Sequence, residues 1–343
     1  MAANNDAHSA AVVRLCNEAI TLVREWQDDP NHEVYPYRRD DLKVVFFVYG
    51  STRKACAVWD EKKQDYVATS PECDPNEHVI AWLCPGWSFV NDIYNPSNDS
   101  ARQTMDAWDA VSDEVWYWAY EAYYLHDAYF KESFNLTNSN VFQWYAATGC
   151  THFFSNLSAD SSDPTCFRQL QAFLWQKLSW NSSLSSEELT QQYFKAMYDG
   201  VADEMYAIFR KYINHSLVLQ QNVNFGGPAS GGNPAKPIFW SYSGFLKPVV
   251  NDFEVILAKV EELYKDTNPA YYEIVKSRVC MEYIAPLYTI LDMHGQSSTG
   301  APFTEDVRQH YKDTLKGFCE YYYPQVTLNN TYDTVIGFVD SLS

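Results

Sequence analysis

The sequence predicts an α/β protein: about four β/α units of a (β/α)8 TIM-like barrel over residues 1–165, then an all-helical domain over residues 166–343. Three observations carry this. Four short apolar runs begin 36 residues apart, at Lys43, Val79, Val115 and Thr151. They are apolar almost without interruption, as strands covered on both faces are, and do not alternate. After Asp163-Pro164 the strand period gives way to apolar positions at helical spacing.

The elements follow in order. Val12, Cys16, Ala19, Ile20, Val23 and Trp26 form one apolar helix face before the first strand, "KVVFFVYG". Residues 51–77 carry no helical pattern and read as a long loop or hairpin. The second strand is "VIAWLCPG". "ARQTMDAWDAVSD" is a helix leading to the third strand, "VWYWAYE", and "NSNVFQWYAAT" is one leading to the fourth, "THFFSN". Strand, crossover and parallel strand is the logic of a βαβ unit. Half a barrel leaves two sheet edges that closure would remove, so further strands are expected upstream of this sequence.

The helical part opens with Asp163 as N-cap and Pro164 at the first helical position, followed by Phe167, Leu170, Leu174 and Leu178 on one face. Ser185 and Glu188 stand at capping-box spacing before Leu189, Tyr193 and Met197, and Gly200 ends that helix. Met205, Ile208, Phe209 and Tyr212 mark the next. "NFGGPASGGNPAKP" is a loop; it has no G-K-[ST] and no strand before it, so it is no phosphate cradle. Three more amphipathic helices follow. They are built on Phe253 to Leu263, on residues 270–293 with a bend at Pro286, and on Val307 to Tyr322.

A net charge of −19 with no run of Lys or Arg argues against nucleic acid or an anionic membrane as partner. No apolar stretch nears the roughly 20 residues of a membrane span. "MAANNDAHSA" has neither the basic nor the apolar region of a signal peptide. Six Asn-x-Ser/Thr sequons, at Asn98, Asn135, Asn156, Asn181, Asn214 and Asn329, point outside the cell. Cys56 with Cys73, and Cys150 with Cys166, are the two candidate disulfides. Cys16, Cys84, Cys280 and Cys319 fall in apolar patterns. The sequence holds no C-x-x-C, H-E-x-x-H, G-x-S-x-G or strand-linked G-x-G-x-x-G, so neither a metal nor a cofactor is expected.

The succession of "FFVYG", "WLCP", "WYWAY" and "LQAFLWQKLSWNSSLSSEELTQQYFKAMYDG" resembles the bacterial domain of unknown function 4838 family, from about Ala10 to the helices near Tyr323. The most specific parts are Trp118-Ala119-Tyr120, Leu178-Ser179-Trp180-Asn181 and Tyr198-Asp199-Gly200. The resemblance implies a glycoside-hydrolase-like barrel followed by helices, in a carbohydrate-active protein at the cell surface or beyond it. Two departures bear on catalysis. Ala119 stands where the family usually has aspartate, and Ser155-Asn156 where it often has an acidic or amide residue followed by glycine.

Barrel chemistry sits at the C-terminal ends of the strands, and glycoside cleavage needs two carboxyl groups there. Glu121, just past the third strand, and Asp6, from an incomplete first element, are the catalytic candidates; Asp92 and Asp127 rank below them. Trp118, Tyr120, Tyr49 and Trp87 are the substrate-binding candidates, since such rings can lie on the apolar face of a sugar while their polar tips hydrogen-bond. The ordinary role of each ring taken singly is core. His126 and His152 read as hydrogen-bonded packing residues. The expected partner is a polysaccharide or other glycan, cleaved by a glycoside hydrolase or held by a non-catalytic binding or surface-interaction module. The sequence leaves oligomeric state open.

Overall fold

The structure, a computed structural model, describes residues 7–32, 39–84, 93–119, 140–155, 166–222, 242–294, 303–325, 327–328 and 333–342. They fall into two compact units, one holding the described residues up to 155 and the other those from 166 onward.

The first unit is a parallel sheet with helices on one face. Helix α1 (Ser9–Asp28) precedes β1 (Val44–Val48); β2 (Ala57–Asp60) and β3 (Asp65–Ala68) form a separate antiparallel hairpin; β4 (Val79–Leu83), α2 (Asp99–Asp109), β5 (Val115–Ala119), α3 (Asn140–Ala147) and β6 (Cys150–Ser155) follow. The sheet order is β1-β4-β5-β6, all parallel, so the four runs spaced by 36 residues are neighbours in chain order as expected. The hairpin lies within the stretch read as loop or hairpin. Cys56 and Cys73 flank it and form a disulfide with Cα atoms 5.7 Å apart. Cys150 and Cys166, the other candidate pair, are both free thiols.

Alternation along each strand divides the sheet into two unlike faces. Phe46, Val48, Val79, Ala81, Leu83, Val115 and Tyr117 are buried. The Phe46 ring meets Trp108 of α2 edge-on at 5.5 Å, and Tyr117 meets Tyr145 of α3 at 4.5 Å. The Tyr117 hydroxyl is satisfied by Thr148 Oγ1 at 3.0 Å. Helix α1 differs from its expected face. It buries Ala10, Val13, Cys16 and Ile20, while Val23 and Trp26 are exposed. The stripe at 13, 16 and 20 keeps the three- and four-residue steps of one helix face, and each residue beside it is turned about 100° away.

The second unit is helical: α4 (Arg168–Trp180), α5 (Ser186–Tyr198), α6 (Ala202–Asn222), α7 (Lys247–Tyr264), α8 (Pro269–His294), α9 (Glu305–Tyr322) and, after the short strands β7 (Thr327–Leu328) and β8 (Asp333–Thr334), α10 (Val335–Ser341). Asp163 and Pro164 lie outside the described residues; within them α4 begins only at Arg168, after Phe167 in the left-handed region at φ 57°. Ser185 caps α5 as its spacing predicts, its hydroxyl accepting the Glu188 N–H at 3.2 Å. Helix α8 is the centre. Residues Val279 to Leu291 are buried without a break, as in a helix surrounded by others.

Helix α8 runs through Pro286 uninterrupted. Proline has no N–H, so the carbonyl four residues earlier, that of Glu282, loses its helical donor. The Cys166 thiol takes it at 3.6 Å. The Glu282 side chain, fully enclosed, accepts the Phe167 N–H on one oxygen and the Tyr198 hydroxyl on the other, the latter at 3.1 Å. Burial pushes the Glu282 carboxyl up to about 7, against the pull of these hydrogen bonds.

Candidate functional site

The second face of the sheet is aromatic. Pairing in register sets Phe47 beside Trp82, Trp82 beside Trp116, and Trp116 beside His152. One row of four rings therefore crosses all four strands, a span of about 14 Å at ordinary strand spacing. Phe47 stacks on Trp82 at 4.8 Å, Trp82 stands edge-on to Trp116 at 5.7 Å, and Trp116 tilts over His152 at 4.7 Å. Towards the strand C-termini, Trp118 and Phe154 pack at 4.2 Å, and Trp118 reaches back to Trp82 at 5.3 Å. Phe47 is 49% exposed and Phe154 41%, whereas Tyr117, on the helix side of β5, is 0% exposed. The helices thus cover one face, and on the other Phe47 and Phe154 are exposed while Trp82, Trp116 and Trp118 between them are half-buried.

At the N-terminal end of the strands this face closes on a charged group. Glu114, immediately before β5, accepts hydrogen bonds from Lys43 Nζ, from Trp116 Nε1 at 2.8 Å and from Thr151 Oγ1 at 2.7 Å. His152 Nδ1 lies 3.3 Å from the same carboxylate and 3.0 Å from Thr151 Oγ1. Burial works against ionisation of Glu114, but the three hydrogen bonds and the Lys43 charge outweigh it and hold its pKa at about 2. Glu114 is a fixed carboxylate, unable to donate a proton near neutrality. No group of three potential ligands gathers for a metal ion among the described residues.

Of the residues singled out from sequence, Trp118 lies on this face, on the side of β5 opposite Tyr117, as alternation requires. Tyr49 lies just past β1 and is 55% exposed; its N–H bonds to Thr52 Oγ1 at 3.0 Å in the turn begun by Gly50 at φ 57°. Tyr120, Trp87, Glu121 and Asp6 lie outside the described residues, as do Asp92, Asp127, His126 and Asn156. Sequence reading passed over Phe47, Trp82, Glu114 and Lys43, and took His152 for packing. The 36-residue period held the signal: Lys43, Val115 and Thr151 occupy equivalent places, so the polar residues beside them meet at one end of the sheet.

The other distinctive motifs have structural duties in the helical unit. In Tyr198-Asp199-Gly200, Tyr198 binds Glu282, Asp199 Oδ2 accepts the Tyr264 hydroxyl at 2.8 Å, and the Gly200 N–H donates to that hydroxyl at 2.9 Å. In Leu178-Ser179-Trp180-Asn181, Leu178 is core and Trp180 is 92% exposed. Asn181 Oδ1 accepts the Ser183 N–H at 3.0 Å just after the helix.

Among the described residues, no helix is long and apolar enough to cross a membrane. No curated protein and no solved structure matches the chain. Residues 64–214 match the family described as Domain of unknown function (DUF4838), a stretch that runs from the hairpin through β4, β5 and β6 into α6. Over that stretch the chain is similar to the domain of unknown function 4838 family, the one its sequence resembles.

Proposed function

We propose that this chain is a carbohydrate-active protein that binds complex glycans, on a scaffold that is half of a glycoside-hydrolase-like (β/α)8 barrel, with the aromatic sheet face as its contact surface. The row Phe47, Trp82, Trp116, His152 carries the reading, together with the exposure of Phe47 and Phe154. Aromatic faces gain from covering the C–H surface of a sugar ring, and a row of them fits a chain of sugars. Nucleobases also stack on such rings, but a net charge of −19 repels a phosphate backbone.

Binding is preferred to cleavage because the carboxylate on this face, Glu114, is consumed by three donors and stays ionised. Hydrolysis would rest on Glu121 paired with Asp6 or another acid. An extracellular or cell-surface setting belongs to the same proposal; the Cys56–Cys73 disulfide supports it, since such bonds persist in oxidising compartments.

Glycan-array binding of the wild type beside Phe47→Ala and Trp118→Ala proteins tests the reading, with circular dichroism as the folding control. Both substitutions should weaken a glycan that the wild type holds. A folded wild type that holds no glycan, or variants that bind as well as it does, would end the proposal.

A further inference from the structure

The fourth ring of the aromatic row is the only one with a lone pair to offer, and its neighbours fix where that lone pair points. The Thr151 hydroxyl has a single proton, which it gives to Glu114 Oε1 at 2.7 Å. Its contact with His152 Nδ1 at 3.0 Å therefore has nitrogen as donor and Thr151 Oγ1 as acceptor. Glu114 Oε1, 3.3 Å from the same nitrogen, favours a proton there as well. Neutral His152 is thus the Nδ1–H tautomer. The opposite nitrogen, Nε2, carries the lone pair, on a side chain that is 64% exposed. The ring itself is held against Trp116, which Glu114 anchors through the indole N–H.

We infer that His152 is the specificity-determining polar group of the aromatic row, its Nε2 accepting a hydroxyl of a neutral sugar whose ring lies over Trp116. This rests on the glycan reading above and narrows it to neutral glycans. The lone pair of a neutral imidazole welcomes an O–H donor and offers a uronate or sulfate no proton to bind, and the Glu114 charge beside it is already paired with Lys43. A metal ion is a poorer occupant, because no second and third ligand gather beside it among the described residues.

The test uses the full chain and four probes: cellohexaose, xylohexaose, maltohexaose and hexagalacturonate, titrated by calorimetry. The wild type should bind at least one neutral hexasaccharide and prefer it to hexagalacturonate. His152→Phe keeps a ring in the row and removes both nitrogens, and should weaken that binding about tenfold, the worth of one hydrogen bond. His152→Gln, whose amide oxygen reaches the place of Nε2, should recover most of the loss. Long-range proton–nitrogen spectra of histidine-labelled protein should show the Nδ1–H tautomer. Equal affinity in the wild type and His152→Phe proteins, an Nε2–H tautomer, or a preference for hexagalacturonate would overturn the role of His152 and leave glycan binding standing. Failure of all four probes to bind the folded wild type would overturn both.

Discussion

The Cys166 thiol lies 3.6 Å from the Glu282 carbonyl, the one that Pro286 leaves without a helical donor. The same two-residue stretch sends the Phe167 N–H to the Glu282 side chain. One glutamate of the central helix therefore holds the start of α4 through both its backbone and its carboxyl. The left-handed φ of Phe167, uncommon for a bulky residue, is what aims that N–H at the helix.

Glu282 makes the helical unit weaker at higher pH. Its folded pKa, about 7, lies above the ordinary glutamate value of about 4.3. Between those values the folded chain keeps a proton that the unfolded chain has released, so stability falls as pH rises. The loss is up to about 1.4 kcal/mol per pH unit and about 4 kcal/mol in all once pH exceeds 8. Glu282→Gln keeps an oxygen for Phe167 and removes the titration. Thermal melts followed by far-ultraviolet circular dichroism should show the variant gaining on the wild type as pH rises from about 4.5 to 7, with the gap levelling off above pH 8. An identical pH dependence in both proteins would show that Glu282 does not set it.

Gly200 has no room for a side chain. A Cβ there would lie 2.6 Å from the Tyr264 hydroxyl oxygen and 2.9 Å from Leu263 Cδ1. Gly200→Ala should cost about 1–3 kcal/mol through forced displacement of these groups. In a Tyr264→Phe background the same change should cost less, because the obstructing oxygen is gone. Urea denaturation of the four proteins of this cycle measures the difference. Strict additivity would place the cost elsewhere.

The Cys56–Cys73 bond links residues 17 apart in sequence and is buried beside Ala7 and Ala10. Removing a cross-link of this length releases chain entropy worth about 3 kcal/mol in the unfolded state. Cys56→Ser with Cys73→Ser should lower the urea midpoint of the sheet unit accordingly, and reductant should do the same to the wild type. A midpoint unmoved by either treatment would show that the thiols are not joined in solution.

The strands were the legible part of this fold, and the reason is repetition. Val44, Val79, Val115 and Cys150 begin strands within one residue of the places the 36-residue period marks. Helix faces were less legible. Trp26 fits an apolar pattern and yet is exposed, because periodicity gives the spacing of a face but not which of two adjacent stripes meets the sheet. The aromatic row could not be read directly, since it depends on register between strands some 36 residues apart. Trp118 was reachable because it is rare and sits at a strand end; Phe47 and Trp82 looked like core. Glu282 gave no signal at all: an acid inside an apolar helix acquires its role only through Cys166, Phe167 and Tyr198, each more than 80 residues away.

Glu114 should behave as the opposite of Glu282. Its folded pKa is depressed to about 2, below the ordinary glutamate value of about 4.3. The stabilisation it provides is therefore complete above that ordinary value and is lost as pH falls towards 2. Three donors from separate strands depend on it: Lys43 before β1, Trp116 on β5 and Thr151 on β6. Glu114→Gln replaces an acceptor of three bonds with a group that is half donor. It should destabilise the sheet unit by about 1–3 kcal/mol at pH 7, the scale of hydrogen bonds left unmade to a charged group. The gap between variant and wild type should be full at pH 5 and narrow as urea denaturation is repeated at pH 4 and 3, because there the unfolded wild type takes up a proton that the folded carboxylate, with its pKa near 2, refuses. A gap of constant size across that range would mean that the carboxylate is not the form that matters, and that Glu114 joins these strands by shape alone.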